Sequence, residues 1–372
     1  MRKKTTFSMK WIIFSMAVLT LAASIFIIHE YKKSEGIRFV SNMGAGWNLG
    51  NTLDCHGKGK EKGDPSVYET YWGNPVTTKE HIEDIKTAGF KTVRIPVTWY
   101  EHMDENGNID REWLERVSQV VDMVLQEDMY AIIDLHHENW LEPTTENSEN
   151  AVFLLKSVWT QIGNYFKDYD QRLLFEGFNE VRLIGTEDEW NAGTGEAREI
   201  VNLYNQVFVD TVRKTGDLNK NRYLMVAPYC HSAEREALEE FTIPDDDHLI
   251  VSIHEYVPYK FTMKKDGNSH WDEHNAQDTE EINEVMDNLS EFFTSKQIPV
   301  IISEFATADR GNTMDRVEWT QYYVKSAKDK GIMCIWWDEG GKKGKTKRFQ
   351  LYDRHEKKWI YPEIVKVLTH NQ

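Results

Sequence analysis

Two glutamates stand where acid–base chemistry could use them: Glu180, closing the run LLFEGFNE, and Glu304, inside VIISEFA. Each ends a short, almost wholly apolar stretch, the pattern of a strand buried on both faces. A carboxyl at such a tip is either a solvated edge or a reactive group held on a rigid element. Two carboxyls in different surroundings can divide a reaction between a proton donor and a nucleophile or base, the division that cleaving a glycosidic bond requires. Either glutamate alone could equally be a surface acid in an acid-rich chain, so the groups at the other strand ends decide.

Stepping along the chain gives eight strand candidates: MGAGWNLGN, TVRIPV, YAIIDLHH, LLFEGFNE, YLMVAPY, LIVSIHEY, VIISEFA and MCIWWDE. Amphipathic stretches alternate with them. TTKEHIEDIKTAGF opens on threonine caps, sets Ile82, Ile85 and Ala88 on one face and stops at Gly89; DREWLERVSQVVDMVLQEDM repeats apolar residues from Trp113 to Val124 at helical spacing. Eight such alternations predict one α/β domain, a (β/α)8 TIM barrel over residues 36–372. An open doubly wound sheet is the alternative, but no G-x-G-x-x-G or P-loop follows any strand. In a barrel, reactive groups gather at the C-terminal strand ends. These are Asn51, Arg94, His136 and His137, Asn179 and Glu180, Tyr229, His254 and Tyr256, Glu304, and Trp337 with Asp338. Glu304 is thus one member of a polar and aromatic ring.

Together GWNLGNTLD, TVRIPVTW, DLHHENW, FEGFNE, SIHEY, ISEFA and IWWDEG resemble glycoside hydrolase family 5, the cellulase family, in family order from about Gly36 to the C-terminus. YWGNP and TTKEHIEDIKTAGF look like its endoglucanase and xyloglucanase branch. The resemblance implies a retaining endo-β-1,4-glucanase without cofactor, with Glu180 as acid/base and Glu304 as nucleophile. It places Asn179 on the 2-hydroxyl of the attacked sugar, Arg94 and Tyr256 on Glu304, and His254 near Glu180. It lines the sugar subsites with Asn51, His136, His137 and Trp337. Where the family usually has proline after the acid/base, Val181 stands here, which bears on the loop and not on the chemistry. Xyloglucan, mixed-linkage glucan, xylan or mannan are alternative substrates, and a silent polysaccharide-binding barrel is an alternative of another class.

Other residues read more blandly. Glu176 shares the strand parity of Glu180 and is expected as a buried structural acid. His136 and His137 could suggest a metal, as in a metal-dependent amidohydrolase. Adjacent strand residues face opposite ways, however, so no metal is expected. Trp113, Trp159 and Trp319 fall in helical patterns and read as packing residues, while Trp47, Trp72, Trp99 and Trp140 are open between packing and sugar contact. The lysine-rich GGKKGKTKR reads as a solvated loop.

Composition bounds the partners. The 372 residues are 40% hydrophobic with 13 tryptophans, enough for a core, and the net charge of −17 argues against a nucleic-acid partner while leaving a neutral polysaccharide open. Cys55, Cys230 and Cys334 are odd in number and far apart, so neither a disulfide framework nor a zinc site is expected. Residues 1–35 differ: Arg2, Lys3, Lys4 and Lys10 precede an uncharged stretch, Trp11 to Ile28, long enough at about 1.5 Å per residue to span the hydrocarbon of a bilayer. The expectation is a single-pass anchor with the barrel outside the cell, or, as the alternative, a signal peptide cleaved near Ala23 and a secreted barrel. The oligomeric state is open, with a monomer expected.

Overall fold

The computed structural model describes residues 35–59, 63–190, 192–341 and 348–371, together with Phe14. Apart from Phe14, the Trp11–Ile28 stretch lies outside the described residues, as does most of the lysine-rich run. Among those described, no helix is long and apolar enough to cross a membrane.

Eight strands form: β1 (Gly46–Leu49), β2 (Thr92–Ile95), β3 (Tyr130–Ile133), β4 (Leu173–Glu176), β5 (Leu224–Val226), β6 (Leu249–His254), β7 (Val300–Phe305) and β8 (Met333–Asp338). They pair in parallel in sequence order, and β8 returns to β1 to close the barrel. The helices that follow are α1 (Lys79–Thr87), α2 (Arg111–Gln126), α3 (Thr145–Phe166), α4 (Gly195–Lys214), α5 (Arg235–Glu239), α6 (Ala276–Phe292), α7 (Thr313–Asp329) and α8 (Pro362–Asn371). After β5 a 3-10 turn (Tyr229–His231) and the short α5 form, and a small hairpin, β9 (Tyr352–Asp353) with β10 (Lys358–Trp359), precedes α8.

Local chemistry explains the ends of these elements. The side chains of Thr144 and Thr194 accept from Asn147 N and Ala197 N, capping α3 and α4. At the end of α1, Gly89 takes φ +104°, which lets Gly89 N reach Lys86 O and Phe90 N reach Ile85 O, a Schellman stop. The α2 stripe of Trp113, Leu114, Val117, Val120, Val121 and Val124 is buried against the sheet, worth roughly 1.5–3 kcal/mol per aliphatic side chain. Trp159 and Trp319 are likewise core residues of α3 and α7.

The barrel interior changes polarity within one pleat. Its lower layer is apolar: Ile132, Leu174, Met225, Ile250, Ile301, Met333 and Ile335, sealed below by Val40 and Met43 of the helix over residues 35–43. Gly46 has no side chain because a Cβ there would meet Ile335 Cγ1 at 2.7 Å. Two residues further along, the strands place Asn48, Arg94, Asp134, Glu176, Ser252 and Ser303, all fully buried. This polar floor carries the cleft. The cysteines are buried in separate places: Cys55 after β1, Cys230 after β5 and Cys334 in β8.

Candidate active site

Arg94 organises the floor. Its Nε donates to Glu176 Oε2 at 2.5 Å; Nη1 donates to Glu304 Oε1 (2.7 Å) and Asn48 Oδ1 (3.0 Å); Nη2 donates to Asp134 Oδ2 (2.8 Å) and Asn179 Oδ1 (2.9 Å). These five bonds use all five N–H groups of a guanidinium. Burial works against the cation, but Glu176, Asp134 and Glu304 together outweigh it and raise its pKa. Burial would likewise favour neutral Glu176, yet Arg94 and the surrounding donors hold this carboxylate well below the usual range. Ser252 Oγ (2.5 Å) and Ser303 Oγ (3.4 Å) both donate to its Oε1.

Glu304 reaches this floor through an irregularity. Ile253 pairs with Ile302 but His254 pairs with Glu304, so β7 carries one extra residue. Without it, the pleat would turn Glu304 away once Ser303 points inward. Its Oε2 accepts from Tyr256 OH at 2.9 Å. Burial pushes its carboxyl up to about 8, and the charge of Glu180 adds to this, against the pull of Arg94 and Tyr256. The two carboxyls are therefore linked: a proton taken by Glu180 removes its repulsion and favours the ionised form of Glu304.

Glu180 follows β4 in a left-handed conformation, φ +43°. Its Oε1 lies 3.0 Å from His254 Nδ1, and its carbonyl accepts from Arg182 Nη1 at 2.9 Å. Val181 is buried and its carbonyl accepts from Cys230 N at 3.1 Å, which closes the loop in the absence of a proline. Glu180, His254 and Glu304 each present an atom within 4.8 Å of the others. Burial holds His254, His136 and His137 neutral, well below their ordinary pKa. The Nδ1–H of His136 therefore donates to Asp134 Oδ2 (2.8 Å).

A cleft of about 750 Å³ opens over the floor. Asn51, His136, His137, Asn179, Glu180, His254, Tyr256, Glu304 and Trp337 all line it, with Arg94 just beneath. Trp337 lies parallel to the His136 ring, 5.8 Å away. Tyr229 does not enter; its hydroxyl accepts from Leu183 N, and the β5 side supplies His231 to the floor instead. Trp47, Trp99 and Trp140 are buried, whereas Trp72 stands partly exposed near His56 and His137. The expectation that His136 and His137 face opposite ways is wrong. β3 ends at Ile133, so strand alternation no longer applies, and both rings reach the cleft with centroids 4.5 Å apart.

Among the described residues, three groups bring possible metal ligands within 4.8 Å: Asp54–His136–His137, Glu176–His231–His254 and Glu180–His254–Glu304. Their buried carboxylates already accept from N–H or O–H groups: Asp54 from Asn51 N and Thr52 N, Glu176 and Glu304 as above. Each oxygen of these three carboxylates thus already serves at least one protein donor.

Several site residues carry weak or no sequence signal. Asp134 and Ser303 could have been placed inside by counting on two from Ile132 and Ile301. Trp190, Met263 and Phe349, which also line the cleft, come from loops, and Tyr259 opens a one-turn helix (Tyr259–Thr262); none has a periodicity to read.

The chain matches the cellulase family, glycosyl hydrolase family 5, over residues 55–343. It is 43% identical over 328 residues to endoglucanase A of Clostridium longisporum; the match covers 87% of this chain but spans 63% of that relative's length. Among solved structures it is similar to a family 5 lichenase of Caldicellulosiruptor sp. F32 determined with cellotetraose (40% identity, TM-score 0.86, 90% of this chain and 95% of that one). It is also similar to XEG5A, a xyloglucan-specific endo-β-1,4-glucanase from a metagenomic library, determined with cellotriose (36% identity, TM-score 0.86, 91% and 100%).

Proposed function

Because the chain belongs to glycosyl hydrolase family 5, the cellulases, we propose that it hydrolyses internal β-1,4 bonds of a glucan with retention of anomeric configuration. The observation that carries this reading is the pair itself: carboxylate oxygens of Glu180 and Glu304 lie within 4.8 Å across an open cleft. Retaining sites hold their carboxyls about 5–5.5 Å apart, while inverting sites leave roughly 6.5–9.5 Å for a water. Glu304, ionised between Arg94 and Tyr256, attacks the anomeric carbon. Glu180 gives its proton to the leaving oxygen and then takes one from the water that releases the glycosyl-enzyme. Asn179, its Oδ1 tied to Arg94, turns its amide hydrogens toward the sugar 2-hydroxyl.

The test is the anomer first released from a soluble β-glucan, followed by NMR, with product sizes across cellulose derivatives, mixed-linkage glucan, xyloglucan, xylan and mannan. A β-anomer and a mixture of internal fragments are expected; an α-anomer first would refute retention. A lichenase and a xyloglucan-specific enzyme among the similar structures favour mixed-linkage glucan and xyloglucan as further substrates. Activity should persist in chelator.

For location, the basic flank before Trp11–Ile28 supports attachment to the outer face of the cell membrane. Full-length protein should then sediment with membranes, and a version starting at Gly36 should be soluble and active. A mature N-terminus just after Ala23 would replace the anchor with a cleaved signal.

A further inference from the structure

We infer that His231 is a positioning residue for Glu180, a role that rests on Glu180 being the proton donor. The backbone N–H of Glu180 is directed at His231 Nδ1, 3.2 Å away. A nitrogen that accepts cannot also carry the proton, so the ring holds its hydrogen on Nε2. That nitrogen faces Glu176 Oε1 at 3.3 Å, and the ring is fully buried. Both of its hydrogen bonds thus select one tautomer.

The backbone on each side is unusual. Glu180 takes φ +43°, and Cys230 and His231 take +52° and +57° in the tight turn after β5. Non-glycine residues hold such conformations only where the surroundings over-determine them. Here two left-handed segments from neighbouring strands face each other, and the imidazole ties one to the other. The His231 ring also lies against His254, centroids 4.2 Å apart, and His254 Nδ1 meets the Glu180 carboxylate. A continuous path then runs from Glu180 N through His231, Glu176 and Arg94 to Glu304. His231 touches neither the cleft nor a reacting atom. It sets where the acid stands relative to the nucleophile.

The test uses the leaving group as a ruler. The leaving group of 2,4-dinitrophenyl cellobioside departs without a proton, whereas that of phenyl cellobioside needs one. His231→Phe removes both hydrogen bonds, and should lose about 10- to 100-fold in kcat/KM on the phenyl substrate but less than about threefold on the dinitrophenyl one. His231→Asn can place Oδ1 near the position of Nδ1 and should recover most of that loss. His231→Gln reaches toward Glu176 instead and should not. Thermal unfolding of each variant accompanies the kinetics, and the Asn and Gln pair decides the matter if the Phe variant fails to fold. Equal losses on both substrates, no loss on either, or Asn and Gln behaving alike would overturn the inference. Glu180→Ala is measured alongside. If it shows the leaving-group dependence and the His231 variants do not, only the role of His231 fails. If Glu180→Ala loses equally on both substrates, the proton-donor reading fails instead.

Discussion

Arg94 and Glu304 are joined at 2.7 Å by a guanidinium with no donor to spare, since its other N–H groups already serve Asn48, Asp134, Glu176 and Asn179. A lysine places three donors on one nitrogen and cannot span five acceptors. Arg94→Lys is expected to lower stability by about 3–5 kcal/mol in denaturant unfolding, because buried carboxylates lose their partner. It should also lower kcat/KM by about 100-fold or more. A variant with wild-type kinetics would take Arg94 out of the mechanism.

The two glutamates should separate by their response to azide. Glu304→Ala has no group to form the glycosyl-enzyme, so it should be inactive even on activated aryl cellobiosides, and any azide product should have the α configuration. Glu180→Ala should still form the intermediate from an activated substrate and release it slowly. Azide needs no base, so it should accelerate that variant and give a β-glycosyl azide. Products of reversed configuration would exchange the two roles.

Tyr256→Phe removes the hydroxyl that meets Glu304 Oε2 at 2.9 Å and leaves burial to raise a carboxyl already pushed up to about 8. A hydrogen bond to a charged group is worth about 1.5–3 kcal/mol, so the limb on which Glu304 ionises should move up by about one to two pH units. With a dinitrophenyl substrate, the deficit should be largest at acidic pH and shrink as pH rises. A deficit independent of pH would place the Tyr256 contribution elsewhere.

Stability should decline from neutral to alkaline pH. Below about pH 6.5 the buried neutral His136, His137 and His254 favour the unfolded chain as the proton binder. Above it, burial that raises Asp134 to about 7 and Glu304 to about 8 makes the folded chain bind more protons at these two carboxyls than the unfolded one. Unfolding free energy then falls as pH rises through that window. The net charge of −17 at pH 7 adds repulsion in the same direction. Glu176, held low, should cost stability only in strong acid. The Tm near pH 7 should exceed that near pH 9; a Tm rising across this interval would contradict the assignment.

The barrel is legible in the sequence because each strand is a short apolar run and helical stripes lie between the runs, as Val117 to Val124 illustrate. Glu180 and Glu304 are legible because a carboxyl ends such a run. The inward turn of Glu304 is not, since it depends on one extra residue in β7 that only pairing with β6 reveals. His231 is hidden for a related reason: its left-handed turn after β5 is set by what it packs against, and no local pattern announces it. The shared orientation of His136 and His137 is hidden because strand alternation does not extend past Ile133, where the strand stops.

The placement of the three cysteines bears on where such a protein can work. Burial pushes the thiols of Cys55, Cys230 and Cys334 above their ordinary pKa, so at neutral pH none supplies the thiolate that peroxides, alkylating agents and disulfides attack. A chain expected outside the cell therefore needs neither crosslinks nor a reductant to keep its sulfur chemistry silent, and the folded barrel should be as indifferent to air as to glutathione.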